Sequence, residues 1–235
     1  MNINTAVSGV YLKAVGKASS PSTSKRAKII GLLNFYQRGW ADENEVDWSS
    51  LYDPAFSLGT VTATDRFDID TSTIRKLSDR EGDFVRIVWD GEGGYTDYSI
   101  VPADTLKDYF WGVDKESPNG NYCARIGNEL VFNHEFVSTD TEYGGEIFVP
   151  CYTYPDEITD ADPANDEVQV DIPDWLILMC AAEYVRTDIT RQAQYPNLLA
   201  EANQKMLRMK ADNDDVQILK ANMPWSPGVN SDMWS

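Results

Sequence analysis

The sequence has few of the residues that most often carry catalysis or hold metals. It contains one histidine, His134, and three cysteines, Cys123, Cys151 and Cys180. An odd number of widely spaced cysteines argues against a disulfide framework and against a zinc site, and is typical of synthesis in a reducing compartment. A lone histidine between strand-like segments is usually a packing or surface residue. We therefore expect no catalytic residue, no metal site and no cofactor.

A calcium-binding loop is also missing, although acidic residues alternate in one segment. Asp160 and Asp162 have the spacing of the first two ligands of an EF-hand loop. Such a loop requires Gly at its sixth position and a bidentate Glu at its twelfth. Those positions hold Asn165 and Asp171. We therefore interpret the segment as a solvated acidic linker.

Long apolar runs are absent as well. None reaches the roughly 18 residues of a membrane-spanning helix, and the N-terminal segment lacks the basic and apolar regions of a signal peptide. These features predict a protein that does not associate with a membrane. A hydrophobic fraction of 42% and an aromatic fraction of 11% nevertheless support a folded core. The length of 235 residues fits one large domain or two modest ones.

Acidic and basic residues are unevenly distributed. Residues 1–41 contain six bases and no acid, so the net charge of −18 is the sum of +6 there and −24 in residues 42–235. A globally acidic chain is a poor nucleic-acid ligand, because phosphate contacts need clustered Lys and Arg. We expect a basic face that meets an acidic surface of a neighbouring copy, with a solvated helix face as the alternative. The residues of this predicted inter-subunit basic face are Lys13, Lys17, Lys25, Arg26 and Lys28.

Apolar residues at helical spacing predict three principal helices. The first begins near Ser22–Ser24, where hydroxyl side chains can cap it. The other two begin at Pro173 and Pro196, because proline is well tolerated in the first turn of a helix. Few residues separate these two helices, which predicts an antiparallel hairpin with a shared apolar face. We expect residues 1–45 and 171–213 to pack as a small helical bundle.

Between these helices the pattern changes to that of β-strands. Short alternating or apolar runs rich in Val, Ile, Thr, Phe and Tyr are separated by turn signals. They predict an antiparallel β module with an acidic linker, inserted at residues 46–170. The polar, proline-broken residues 214–235 predict an extended arm. The predicted fold class is therefore α+β: a small helical bundle with an inserted antiparallel β module and an extended C-terminal arm.

The predicted arm carries large apolar side chains but no periodic face that would bury them. They are Met223, Trp225, Met233 and Trp234. Exposed apolar area of this kind often marks a contact surface, and buried Trp dominates the energetics of many interfaces. We predict that the arm docks on a partner, with folding back onto its own domain as the alternative.

The segment from Pro173 to Asn213 carries a resemblance to a known family. It reads PDWLILMCAAEYVRTD, with Ala-Ala-Glu on one helix, and then YPNLLAEANQKMLRMKADN, with Tyr-Pro opening the next. An N-terminal helix, a β stretch ending in FVPCYTYP and an acidic linker precede it. This order of elements resembles the head–tail adaptor (connector) proteins of tailed bacteriophages. The chain differs from the all-helical adaptors of this family in its larger β module.

The resemblance implies a non-enzymatic structural protein of the virion, at the head–tail junction, synthesised in the cytoplasm of the host bacterium. Such adaptors form a ring, usually twelvefold, beneath the portal; the ring extends the DNA channel and provides a platform for the tail. The implied partners are the portal protein, a tail or neck protein, other copies of the chain, and genomic DNA that passes without sequence-specific contact. The predicted arm would then be the portal-docking element.

Three other functions stay open at this point. The chain could be another phage neck or tail component, such as a stopper or a baseplate protein. It could be a β-sandwich binding module for a glycan or a protein, with the helices as a scaffold. The third is an unrecognised hydrolase. Abundant carboxylates place some pair at the separation of a glycosidase site by chance, so their number is not evidence for one.

Overall fold

The computed structural model divides the described chain into two compact units. The described residues are 1–17, 19–43, 46–78, 80, 82–89, 94–109 and 120–221. Met1–Ser50 and the chain from Pro155 form the helical unit, and Leu51–Tyr154 form the sheet unit. The α-helices in chain order are α1 (Ile3–Val15), α2 (Thr23–Ala41), α3 (Ala103–Tyr109), α4 (Pro173–Arg186) and α5 (Tyr195–Ala221). Short 3-10 turns occupy Ser49–Leu51 and Gln192–Gln194.

Local chemistry defines both ends of α1 and its approach to α4. The backbone N–H of Thr5 donates to Oδ1 of Asn2 at 2.9 Å, which caps the first turn. Gly16 ends the helix with a φ of 72°, a left-handed conformation that favours glycine. Gly9 lies where the two helices meet: a Cβ at this position would stand 2.8 Å from Cδ1 of Ile177. The missing side chain of Gly9 therefore permits close packing of α1 on α4.

α4 lies at the centre of the helical unit and contacts α1, α2 and α5. A helix that is apolar on most of its circumference must be covered from several sides. Pro173 occupies its first turn, as helix-start chemistry predicts. The buried side chains of α4 are Trp175, Leu176, Ile177, Leu178, Cys180, Ala181, Ala182, Tyr184 and Val185.

α5 is a long helix of 27 residues that packs against α4 along one narrow side. Among its side chains described through Asp214, the buried ones are Ala202, Met209 and Asn213. Asn213 ties the helix to the segment before the sheet unit, since its Oδ1 accepts the N–H of Ser49 at 2.8 Å and its Nδ2 donates to the carbonyl of Asp47 at 3.1 Å.

The sheet unit is built on one eight-stranded mixed sheet. Along its main path the strand order is β1-β8-β4-β5-β6-β7-β2, and β3 pairs with β8 beside β4. The pairs are antiparallel except β5 with β6, which are parallel through Ser99 with Tyr122 and Ile100 with Cys123. The strands are β1 (Tyr52–Thr60), β2 (Arg66–Asp68), β3 (Ile74–Leu77), β4 (Phe84–Val88), β5 (Tyr95–Ile100), β6 (Tyr122–Ile126), β7 (Glu129–Phe132) and β8 (Glu146–Thr153).

One face of the sheet carries the core of this unit. Aromatic rings meet edge to face there: the ring centres of Tyr98 and Phe132 are 4.8 Å apart, and those of Phe132 and Phe136 are 5.1 Å apart. Such pairs add to the stabilisation from burial alone. Aliphatic side chains on alternate positions of β4 and β8 complete the cluster: Val85, Ile87, Ile147 and Val149.

The protein is α+β overall, but the predicted arrangement is wrong. The sheet is not antiparallel throughout, because β5 and β6 run in parallel. The helices do not form the predicted bundle of one N-terminal helix and a C-terminal hairpin, because α4 is covered by α1 as well as by α2 and α5. The extended arm does not begin at residue 214, because α5 continues to Ala221.

The parallel pairing and the length of α5 have physical causes that sequence periodicity does not reveal. Parallel pairing needs a crossover connection, and α3 lies in the connection between β5 and β6. The side-chain alternation of a strand is the same in both pairing directions, so the pattern does not distinguish them. α5 continues past Asn213 because no Pro or Gly interrupts residues 214–221, and the Asn213 amide bonds a neighbouring segment instead of ending the helix.

Candidate assembly surfaces of the helical unit

The four predicted portal-docking residues lie outside the described residues. They are Met223, Trp225, Met233 and Trp234. The docking role of these residues stays a prediction.

The predicted basic face begins on α1 and continues onto the first turn of α2. Lys13 Nζ lies 3.6 Å from Oε1 of Glu201 on α5, an exposed ion pair of the kind that contributes little to stability. Lys17 is exposed after the end of α1. Arg26 pairs with the carboxylate of Asp160, through Nη2 to Oδ1 at 2.6 Å and Nε to Oδ2 at 2.9 Å. This bidentate hydrogen bonding lowers the pKa of Asp160 and raises the pKa of Arg26.

The other two predicted basic-face residues lie on α2, and Lys28 reaches the end of α4. Lys28 Nζ donates to Oγ1 of Thr187 at 2.9 Å and lies 4.9 Å from the ring centre of Tyr184. Lys25 Nζ lies 3.5 Å from the hydroxyl of Tyr11 and 5.6 Å from the centre of its ring. Both lysines remain exposed. The structure therefore gives these predicted interface residues contacts within the chain while leaving them accessible.

Asp188 stiffens the loop between α4 and α5. Its Oδ1 accepts the N–H of Thr190 at 3.0 Å and the hydroxyl of the same residue at 2.6 Å. These hydrogen bonds lower the pKa of Asp188, with smaller contributions from the charges of Arg191 and Lys25. Ile189, which stands between the bonded residues, is 91% exposed. The loop thus holds an apolar side chain in solvent in a defined conformation.

A second exposed apolar side chain lies on α2. Phe35 is 69% exposed, and its ring meets that of Tyr36 edge on at 5.1 Å. The Tyr36 hydroxyl donates to Oε2 of Glu183 at 3.4 Å, and burial with the nearby carboxylate raises the pKa of Tyr36 to about 12. Glu183 Oε1 also accepts from Nη2 of Arg186 at 2.7 Å. These contacts join the outer side of α2 to the last turns of α4.

Two amides of α2 hold the acidic segment in place. Asn34 bonds both backbone groups of Ile158, accepting its N–H at 2.7 Å and donating to its carbonyl at 2.8 Å. Buried Gln37 donates to the carbonyl of Asp156 at 3.0 Å and accepts the N–H of Gln169 at 2.9 Å. The segment interpreted as a solvated linker is therefore an integral part of the helical unit, although its acidic side chains are exposed.

The three cysteines are buried, and the single histidine is half-buried beside aromatic rings. The His134 ring lies 4.5 Å from that of Phe136 and stacks at 5.8 Å on Tyr98, and burial lowers its pKa. All three cysteines are buried and unpaired with one another. Burial raises the pKa of each thiol, that of Cys151 to about 12, so little thiolate forms at neutral pH. Each of these side chains lies in or beside the packed interior of its unit.

One polar cluster of the sheet unit was not singled out from the sequence. The hydroxyl of Tyr52 on β1 donates to the carboxylate of Asp83 at 3.0 Å. Burial of the Tyr52 hydroxyl raises the pKa of Tyr52, and the nearby charge of Asp83 raises it further. The Arg80 guanidinium stands 4.1 Å from the centre of the Tyr52 ring and 5.3 Å from that of Tyr152. These residues come from distant parts of the sequence, and no spacing signal links them.

Two kinds of feature are absent from the described part of the chain. None of its helices is long and apolar enough to cross a membrane. No group of three or more His, Cys, Asp or Glu side chains, among residues with described positions, is arranged to hold a metal ion. In the comparisons with known proteins, no family model matches the chain and no curated protein is significantly similar to it.

Proposed function

We propose that this chain is a non-enzymatic structural protein of a phage virion: a head–tail adaptor that assembles as a ring, docks on the portal, extends the DNA channel and provides the platform for tail attachment. The resemblance of its C-terminal helices implies a twelvefold ring. Its partners are then the portal protein, a tail or neck protein and further copies of the chain. Genomic DNA passes through the ring without sequence-specific contact, and no membrane takes part.

The observation that carries this proposal is the form of α5. At 1.5 Å per residue its 27 residues extend for about 40 Å. Its buried side chains, among those described, occupy one narrow side, while Leu207 on the remaining surface is 68% exposed. A long helix with this much uncovered surface suits contacts with other protein chains better than it suits the enclosure of a substrate.

The charge distribution supports the same proposal. The net charge of −18 gives the ring a predominantly acidic surface. Acidic groups repel the phosphates of a duplex, so they suit a channel through which DNA slides. The bases of α1 and α2 are separated in sequence from most of the acids, which suits contacts between different faces of neighbouring copies.

A second candidate function rests on the sheet unit. Tyr95 and Tyr143 are 53% and 42% exposed there. Exposed aromatic rings suit the binding of a glycan or of another protein, because they offer large contact area at low entropic cost. A binding module, rather than a ring component, would use these residues.

Electron microscopy of the purified chain mixed with an isolated portal ring tests the proposal. We expect a ring of added density on one face of the portal, with the rotational symmetry of the portal or a symmetry compatible with it. A chain that neither forms a ring nor attaches to the portal overturns the proposal and favours the binding module.

The predicted docking residues allow a sharper form of this experiment. A variant with Met223, Trp225, Met233 and Trp234 all changed to Ala should fold normally and lose attachment, because large buried apolar side chains dominate interface energetics. The matched control is Tyr143→Ala, which removes an exposed aromatic side chain of the sheet unit. Attachment that survives the quadruple change but is lost in the control contradicts the docking role of these residues.

A further inference from the structure

We propose that α2 and the α4–α5 loop form a contact surface that binds the acidic segment of a second copy of the chain. The inference rests on self-assembly in the proposed function and names the two surfaces that meet. We call the first surface the basic patch; it consists of Lys25, Lys28, Phe35, Arg186, Ile189 and Arg191. The second is the exposed acidic segment at residues 156–171.

The members of the basic patch are joined by contacts within the helical unit. Lys28 donates to Thr187 at 2.9 Å, so α2 meets the end of α4 at the start of the loop. The charge of Lys25 makes a small contribution to the lowered pKa of Asp188, the residue before the exposed Ile189. Farther along α2, Tyr36 bonds Glu183, which bonds Arg186 in turn. The patch is therefore one continuous surface of a single unit.

The patch combines exposed apolar area with space for a partner. Phe35 and Ile189 are the two most exposed large apolar side chains among the described residues, at 69% and 91%. Gly31 lies one helical turn from both Lys28 and Phe35. Apart from the adjoining residues and backbone of its own helix, no atom stands within 4 Å of the position its Cβ would take. A backbone from another chain can approach α2 closely there. Burial of the apolar side chains would supply the driving force for contact.

The charge of the patch sets it apart from the rest of the chain. α2 contains four bases and no acid, in a protein whose net charge is −18. Two nearby acids pair with two bases of the patch, Asp188 with Arg191 and Glu183 with Arg186. The positive charge left to meet a partner is therefore that of the exposed Lys25 and Lys28. The surface that meets this patch should therefore be acidic.

The acidic segment of the same chain has the required character. Residues 156–171 contain seven acids and no base. Asn34 and Gln37 hold its backbone against α2, so its exposed carboxylates are presented on an ordered segment. Binding an ordered surface loses less conformational entropy than binding a disordered one. The Arg26–Asp160 pair shows, within one chain, the guanidinium–carboxylate chemistry that would recur between copies.

The contact joins two different surfaces, so it is heterologous. Each copy that binds through its basic patch still presents its own acidic segment to the next copy. Such contacts close into a ring or extend into a filament, and they do not stop at a symmetric dimer. This property separates the proposal from non-specific association of an acidic protein.

A charge-swap experiment tests the pairing by sedimentation velocity of the full chain over a wide concentration range in low salt. One variant carries Lys25→Glu and Lys28→Glu, and the other carries Asp166→Lys and Asp171→Lys. We expect the wild type to associate in low salt and to dissociate as salt is added, because salt screens exposed charges. Each variant alone should remain monomeric. Their mixture should associate again, because it contains both the original pairing and the reversed one.

The matched control is Arg66→Glu with Arg208→Glu, which makes the same change in net charge at exposed ion pairs outside the patch. It should associate like the wild type. A further variant, Ile189→Ser, changes a side chain that makes no core contact and should weaken association without changing the melting temperature. A wild type that stays monomeric in low salt, an equal loss in the control, or a mixture that does not recover overturns the inference. The proposed function is judged separately, by attachment to the portal ring.

Discussion

Asn34 on α2 and Ile158 in the acidic segment form a reciprocal pair of hydrogen bonds. The Asn34 side chain accepts the N–H of Ile158 at 2.7 Å and donates to its carbonyl at 2.8 Å, as a neighbouring strand would. The side chain of Ile158 is buried beside this pair. One amide thus satisfies two backbone groups that burial would otherwise leave without partners, and it fixes the acidic segment to the helical unit.

Replacing this amide should destabilise the protein markedly. Asn34→Leu removes both bonds and leaves the backbone groups of Ile158 next to an apolar side chain, so the free energy of unfolding should fall by about 1–3 kcal/mol. Urea denaturation measures the change. Asn203→Leu, at an exposed position of α5, is the control and should change stability by no more than about 0.5 kcal/mol. Equal effects of the two substitutions would contradict the role given to Asn34.

Two helix glycines should respond to substitution in opposite directions. Gly9→Leu places a large side chain against Ile177 and should cost about 1–3 kcal/mol through overpacking. Gly31→Ala fills open space on α2 and should stabilise the isolated chain by about 0.4–1 kcal/mol, because alanine restricts the unfolded chain more than glycine does. Thermal unfolding of both variants measures whether each substitution raises or lowers the stability. A stabilising Gly9→Leu would mean that α1 does not pack closely on α4.

The same substitution should have different effects on α4 and on α5. Leu178 on α4 is buried, whereas Leu207 on α5 is 68% exposed. Leu178→Ala leaves a cavity and should lower the free energy of unfolding by about 2–5 kcal/mol. Leu207→Ala should change it by about 0.5 kcal/mol or less. Chemical denaturation of the pair provides the comparison, and similar losses would place Leu207 in a core that the structure does not show.

The pair of Arg26 with Asp160 predicts a dependence of stability on pH. The pKa of Asp160 is lower in the folded protein than the ordinary value of about 3.9 for an unfolded chain. The contribution of Asp160 to the free energy of unfolding is therefore complete when the pH is above that ordinary pKa. It is lost as the pH falls through the lower pKa of the folded protein. NMR titration should show the Asp160 pKa returning toward its ordinary range in Arg26→Gln. Asp188 serves as the control, because Thr190 makes the largest contribution to its low pKa.

Helix positions were accessible from the sequence, because proline and serine act locally. The predicted starts at Pro173 and Pro196 lie in the first turns of α4 and α5, and α2 begins directly after Ser22. The change from helical to alternating periodicity marked the region that contains the eight strands. These features depend on residues a few positions apart, so a single sequence contains the information that specifies them.

Local residue patterns specified the starts of α2, α4 and α5, the location of the β region and the division of charge along the chain. Tertiary structure alone decided the parallel pairing of β5 with β6, the central place of α4, and the attachment of the acidic segment to Asn34 and Gln37. Each of these features depends on two groups that are far apart in the sequence, and no fixed number of residues separates such partners. Gln37 and Gln169 show the reason: an amide on a helix and a backbone N–H more than a hundred residues later meet only after α2 and the acidic segment have packed together.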